Sequence, residues 1–148
     1  MKTQFLEQEI KYEGWQLAPH WIYKNFKIQG DATVAFIGEC EVKLTEMVDI
    51  EDVINNEPIY SKSMLSFISE QFNVGLVEGV FRQRLLICTI KEALEKRGFK
   101  ITRNGDDLFF EGKKLTVSIA TKSMTSILIH TGINIDSCLL YTSDAADD

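Results

Sequence analysis

The chain has 148 residues and a mass of 16.9 kDa, enough for one domain with a real core. Its formal net charge of -6 leaves no basic footprint for nucleic acid, and no apolar run approaches the roughly 18 residues that a membrane span requires. Met1-Lys2 leads into Glu7 and Glu9 instead of an apolar stretch, so no targeting segment is read and a cytoplasmic setting is expected.

In chain order, residues 3–9 and 14–17 read as two strands of a hairpin turning across residues 11–14. Pro19 opens a short aromatic helix through Phe26, whose aromatics read as core plugs; His20 at its start reads as satisfying a local hydrogen bond. Gly30-Asp31 precedes a strand over residues 33–43. Within it Gly38 marks a bulge or the close approach of another backbone or a ligand. Residues 49–56 read as a helical turn ended by Pro58, and residues 64–72 as a helix with a serine N-cap. Glu78 to Arg97 is the longest predicted helix, closed by Gly98. It carries two apolar stripes, one with Val80, Ile87, Ile90 and Leu94, the other with Val77, Phe81, Leu85 and Cys88. A helix apolar on two sides packs between a sheet and another element. Arg82 and Arg84 on its flanks read as structural.

From residue 99 the pattern becomes a meander of four strands, 99–103, 107–111, 114–121 and 126–135. Asn104-Gly105 is a strong hairpin signal, and Gly112 makes a second break. Alternation puts Lys114, Thr116, Ser118 and Ala120 on one face of the third strand. In the fourth strand Leu128, His130, Gly132 and Asn134 share a face, with Ile127, Ile129, Ile133 and Ile135 on the other. If the two polar faces join, the sheet presents Lys114, Thr116, Ser118, His130, Gly132 and Asn134 as a concavity with no bulky floor. Its lysine would take an anion, and Gly132 would let a ligand sit close. The bland alternative is a solvated hairpin lysine. The isoleucine face belongs under the long helix.

Two cysteines, Cys40 and Cys88, stand apart with no CxxC and no nearby His, which gives neither a disulfide framework nor a zinc site. The third lies in residues 138–148, CLLYTSDAADD, a string without core periodicity that resembles the in-frame translation of a sequencing-library adapter. One domain over residues 1–136 is therefore expected, cut short at its C-terminal end, with 138–148 as an attached tail.

The meander resembles the catalytic core of the biotin and lipoate protein ligases and of the related octanoyltransferases. Asp107 and Lys114 have the ligases' aspartate-to-lysine spacing, and Lys114-Leu115 the sequel. His130 and Asn134 follow in the octanoyltransferase order, and Gly132-Ile133-Asn134-Ile135 looks like the end of their second strand. Over its whole length the chain is similar to an uncharacterised prokaryotic family, the domain of unknown function 366. The likeness rests on Pro19-His20-Trp21-Ile22, Gly30-Asp31, Val34 to Gly38, Gln83 to Leu86 and Gly105 to Leu108. The resemblance implies an α+β fold, a mixed and mainly antiparallel sheet flanked by helices, as in the class II aminoacyl-tRNA synthetases and biotin synthetases. It implies Lys114 and Asp107 as catalytic residues, with Thr116, Ser118, His130, Gly132 and Asn134 binding substrate. It also implies ATP with magnesium if the ligase chemistry is retained, with metal use otherwise open, and a nucleotide or acyl acid as ligand, with an acyl-carrier protein as partner. Two departures stand out. There is no basic glycine-rich loop, Gly75 to Gly79 carrying an acid instead, and Val117 replaces the glycine that follows the ligases' lysine. Three readings stay open: an enzyme of acyl-adenylate formation or acyl transfer, a non-catalytic module binding a nucleotide or small acid, and a purely structural sheet.

Overall fold

The computed structural model describes residues 1–43 and 59–135. Its elements are β1 (Lys2–Phe5), α1 (Trp21–Phe26), β2 (Ala32–Val42), β3 (Ile59–Phe72), α2 (Leu76–Lys96), β4 (Ile101–Asn104), β5 (Asp107–Phe110), β6 (Lys113–Lys114), β7 (Thr116–Lys122) and β8 (Ser126–Asn134). The main sheet has the order β1-β2-β3-β8-β7, parallel only between β1 and β2, and a separate three-stranded sheet runs β4-β5-β6. This is the expected mixed, mainly antiparallel architecture. The turn expected at 49–56 and the tail 138–148 lie outside the described residues.

Three elements differ from expectation. The strand expected over 114–121 is divided at Leu115 between β6 and β7, which belong to different sheets, so the expected four-strand meander is not one sheet. The segment 64–72 is the second half of the long central strand β3, not a helix. Met64, Leu65, Phe67 and Ile68 fit a helical stripe, but β3 lies between β2 and β8 and carries apolar side chains on both faces, which erases strand alternation. The N-terminal hairpin does not form either. Lys2 pairs with Ala32 and Phe5 with Ala35 in parallel register, and residues 6–12 continue along β2. Leu6 N–H donates to Ala35, Ile10 to Ile37 and Tyr12 to Glu39 at 2.8, 3.1 and 2.9 Å. Turns from Gly14 onward then lift the chain across the sheet to α1 instead of returning it alongside β1.

The predicted bulge at Gly38 is present as a register shift between Gly38 and Cys40. The hairpin turns fall one residue later than the Asn104-Gly105 signal suggests. Asn104 pairs with Asp107, and of the two central residues only Gly105 has positive φ. The turn in which both centres are positive is the next one, at Glu111-Gly112.

Each face of the main sheet has its own cover. The N-terminal segment and α1 seal one face, packing Leu6, Tyr12, Trp21 and Ile22 on Val34, Phe36, Met64 and Ile68. Helix α2 lies on the other, with Gly79 seated on Ile127 and the buried Gln83, Ile87 and Ile90 behind it. The isoleucines of β8 are beneath this helix as expected, Ile127 and Ile129 with Val74, and Ile133 with the Ile87–Leu108 cluster. Arg82 donates to Glu78 and to Gln71 of β3, a structural tie between helix and sheet.

Candidate functional site

Lys114 ends β6 and sits opposite Phe109; Asp107 begins β5. The hairpin brings Lys114 Nζ to 3.4 Å from Asp107 Oδ1, with each side chain about a third exposed, 31% and 32%. Immediately after Lys114 the chain leaves one sheet for the other. Leu115 N–H donates back to Leu108 at 2.7 Å, while Leu115 O accepts from Asn134 N–H of β8 at 2.9 Å. The pair therefore stands at a seam whose backbone is held from both sides. Partial burial pushes the Asp107 carboxyl up; the Lys114 charge opposes this, and the neighbouring Asp106 reinforces it. The Lys114 ammonium is thus part-exposed, with Asp107 at 3.4 Å as its ion-pair partner among the described residues.

The other expected site residues do not share its surface. Register decides this: Ser118 lies opposite Thr131, while Val117 lies opposite Gly132 and Ile119 opposite His130. Thr116 and Ser118 thus belong to the helix-covered face, and His130, Gly132 and Asn134 to the other. Thr116 is buried, and its Oγ1 accepts the Leu108 N–H at 3.0 Å. Ser118 Oγ is 2.8 Å from Thr131 Oγ1 and accepts from Gln83 Nε2 at 2.9 Å. Gln83 also donates to Asp106 Oδ2 at 3.1 Å, so it ties α2 to the β4–β5 turn beside Asp107. Nothing in the helical pattern marked Gln83 except its polarity on the buried stripe.

On the opposite face the imagined concavity is filled. Tyr12 stacks on His130 with ring centroids 3.7 Å apart and planes 7° from parallel, and His130 Nε2 is 3.1 Å from Ser66 Oγ. Burial pushes the imidazole down to about 3, so it is neutral throughout the physiological range. The space above Gly132 holds the fully buried Met64: a Cβ at Gly132 would lie 3.0 Å from Met64 Cγ and overlap its Sδ. Asn134 Oδ1 is 3.2 Å from the Ser61 hydroxyl that donates to it. Gly132 makes room for a side chain of the protein itself. Neither plug is legible from the sequence, in which Tyr12 reads as part of a turn and Met64 as part of a helix.

A cavity of about 230 Å³ opens at the far end of the sheet, roughly 26 Å along β8 from Asn134. It is lined by His20, Tyr23, Gln29, Glu70 and Phe72 among others. Glu70 is buried there and doubly bonded, accepting from His20 N–H at 2.9 Å and the Ser126 hydroxyl at 2.5 Å. Burial also pushes the Cys40 thiol up to about 12, which keeps it protonated and poor as a nucleophile. Among the described residues no group of three or more His, Cys, Asp or Glu could hold a metal ion, and no helix is long and apolar enough to cross a membrane.

With this geometry in place, comparison with known proteins gives the lineage. The family described as a domain of unknown function, DUF366, matches residues 1–141. The chain belongs to this family. It is 39% identical over 142 residues to the uncharacterized protein MJ0805 of Methanocaldococcus jannaschii, covering 93% of this chain but only 64% of that relative's length. A protein of unknown function from Pyrococcus horikoshi has the same structure at a TM-score of 0.86 and 40% identity, with 91% of this chain and 74% of that one aligned. Lipoate-protein ligase A bound with ATP aligns at a TM-score of 0.61 and 14% identity, over 97% of this chain and 71% of the ligase. A bipartite lipoate protein ligase from Thermoplasma acidophilum and biotin protein ligases share the fold as well. At such identities the likeness is one of fold.

Proposed function

We propose that this DUF366 chain acts on a small carboxylic acid in activated form, as an acyl-adenylate or acyl thioester, with Lys114 as its anion-binding residue. The observation that carries this reading is the Lys114–Asp107 pair, 3.4 Å apart and part-exposed at the seam of two sheets, on a fold that also serves lipoate and biotin ligases. The Lys114 ammonium would meet the carboxylate or phosphate of the substrate and stabilise charge developing on the acyl oxygen, the kind of fixed electrostatics that dominates acyl transfer. Asp107 would aim the ammonium. As ATP is what lipoate-protein ligase A holds, the same lysine suits a nucleotide phosphate, and bound ATP would supply the leaving group for activation. The acyl chain would not run over His130 and Gly132, since Tyr12 and Met64 occupy that space. A lipoyl-type acceptor domain, the partner of the Thermoplasma ligase, is the macromolecular partner this chemistry calls for.

The test is calorimetric titration of the wild type and Lys114→Ala with ATP, a non-hydrolysable acyl-adenylate analogue, lipoate and octanoate. Loss of one charge-assisted contact should weaken binding by about 1.5–3 kcal/mol, a factor of roughly ten to a hundred. Melting temperature should barely move, because the lysine is part-exposed and its single ion pair is weak. Equal affinity in the two proteins would remove Lys114 from the site.

A further inference from the structure

The cavity of about 230 Å³ at the far end of the sheet lies where α1 and the loop through Gly30 meet the end of β3. Its chemistry is opposite in sign to that of Lys114. β3 sends Glu70 and Phe72 to one face, two residues apart. Tyr23 and His20 line the cavity from α1 and its start, and His20 stacks on Phe72 with ring centroids 5.9 Å apart and planes at 20°. The lining is thus aromatic beside one carboxyl group.

Glu70 is the residue that the fold leaves without an electrostatic partner. It is 3% exposed, and its donors, the His20 N–H on Oε1 and the Ser126 hydroxyl on Oε2, are both neutral. One bond to each oxygen leaves further acceptor capacity on both. Asp31, next to Gly30, stands at the same end of the sheet, its Oδ1 accepting the Phe72 N–H at 2.8 Å. Every lysine and arginine of the chain lies among the described residues, and none forms an ion pair with Glu70 or Asp31. Lys27 is engaged elsewhere, its ammonium 5.5 Å over the Tyr23 ring and 3.4 Å from Lys24 O. Buried charges are as a rule paired, because an isolated one is costly.

We propose that this cavity binds a small organic cation, a primary ammonium on a short aliphatic body, with Glu70 as its charge partner. The ammonium N–H groups complete the Glu70 oxygens, the rings of Tyr23 and Phe72 attract the positive charge, and Ile22 and Ile28 meet the aliphatic body. The volume lies below the roughly 300–1,000 Å³ of drug-sized sites, which limits the ligand to a few heavy atoms. A metal ion fits poorly: among the described residues no three His, Cys, Asp or Glu converge, and hard cations take about six or more oxygens. α1 is bracketed by His20 and Lys27 at φ 67° and 59°, a conformation that persists in non-glycine residues where the surroundings fix it and that recurs at ligand clamps.

Amide NMR near neutral pH, with n-butylammonium, n-butanol and butyrate as probes, tests the site. The His20 and Phe72 amides are the reporters, since they donate to Glu70 and Asp31. Butylammonium should shift both saturably and bind about tenfold or more tighter than butanol, and butyrate should shift neither. Glu70→Gln keeps the size and an acceptor for His20, and should bring the ammonium down to the level of the alcohol. Tyr23 is 43% exposed, so Tyr23→Leu serves if Glu70→Gln does not fold. It should weaken butylammonium about threefold and leave butanol unchanged. Equal affinity for amine and alcohol in the wild type overturns the proposal. So does the absence of a saturable shift, or a Glu70→Gln protein that binds butylammonium as tightly as the wild type.

Discussion

Replacing Gly38 by alanine is expected to cost about 3 kcal/mol or more, the upper end of what overpacking does. A Cβ at this position would fall on the carbonyl oxygen of Ile10 and lie 2.6 Å from its carbonyl carbon. These are backbone atoms, so no rotamer change relieves the clash. Nor can the segment step aside, since Ile10 N–H donates to Ile37 and Tyr12 N–H to Glu39 on either side of the contact. Lys11 adds a bond to Glu41 at 2.9 Å with Glu39 at 3.6 Å, though these exposed pairs contribute little beside the backbone ladder. Prying Ile10 from β2 would also draw Tyr12 off His130, so the substitution acts on the covered face as a whole. Urea unfolding of Gly38→Ala against the wild type measures it. A midpoint within the equivalent of 1 kcal/mol of wild type would mean that the N-terminal segment is not seated on β2 this way.

The same glycine shows how far the sequence can be read. A glycine in a run of strand formers signals a bulge or close approach, and both are found at Gly38. The long helix and most of the strand segments after it were legible because their periodicity is regular. The strand read over 114–121, however, is two strands in different sheets, and the fold class was implied by the ligase resemblance. What was not legible is how alternating faces combine. Lys114 and Thr116 have the same parity, but the chain changes sheets at Leu115, so parity across that residue carries no information about a shared surface. The faces of β7 and β8 were joined the wrong way round for a related reason. Pairing Ser118 with Thr131 rather than His130 is a matter of one residue of register, which turn length and packing fix and composition does not. Met64 and Tyr12 became invisible as plugs once their segments were given the wrong element. Of the candidate site, the Asp107–Lys114 pair was implied by the ligase resemblance, and the short hairpin is what brings the two side chains to 3.4 Å.

Acidification should destabilise the protein through His130 well before its carboxylates titrate. The imidazole is buried between Tyr12 and the sheet and its pKa is pushed down to about 3, against 6.5 for an ordinary histidine. The unfolded chain therefore takes up a proton below about pH 6.5 that the folded chain refuses, and stability falls with pH across the window from there to about 3. With full stability above the ordinary value, the loss by pH 5 is about 2 kcal/mol. The slope there is about 1.4 kcal/mol per pH unit, and both are fixed by the unfolded value as long as the folded one lies far below 5. Asp107 works in the opposite sense, since a raised carboxyl binds its proton sooner in the folded state, but it is common to wild type and variant. His130→Phe is the informative comparison. It preserves a ring against Tyr12 and gives up the Ser66 contact, so it lowers stability at pH 7.5 while removing the His130 contribution to the dependence between pH 7.5 and 5. Equilibrium denaturation at half-unit steps gives both curves. If they stay parallel, His130 is protonated in the fold, and the stacked, sealed geometry assigned to it is wrong.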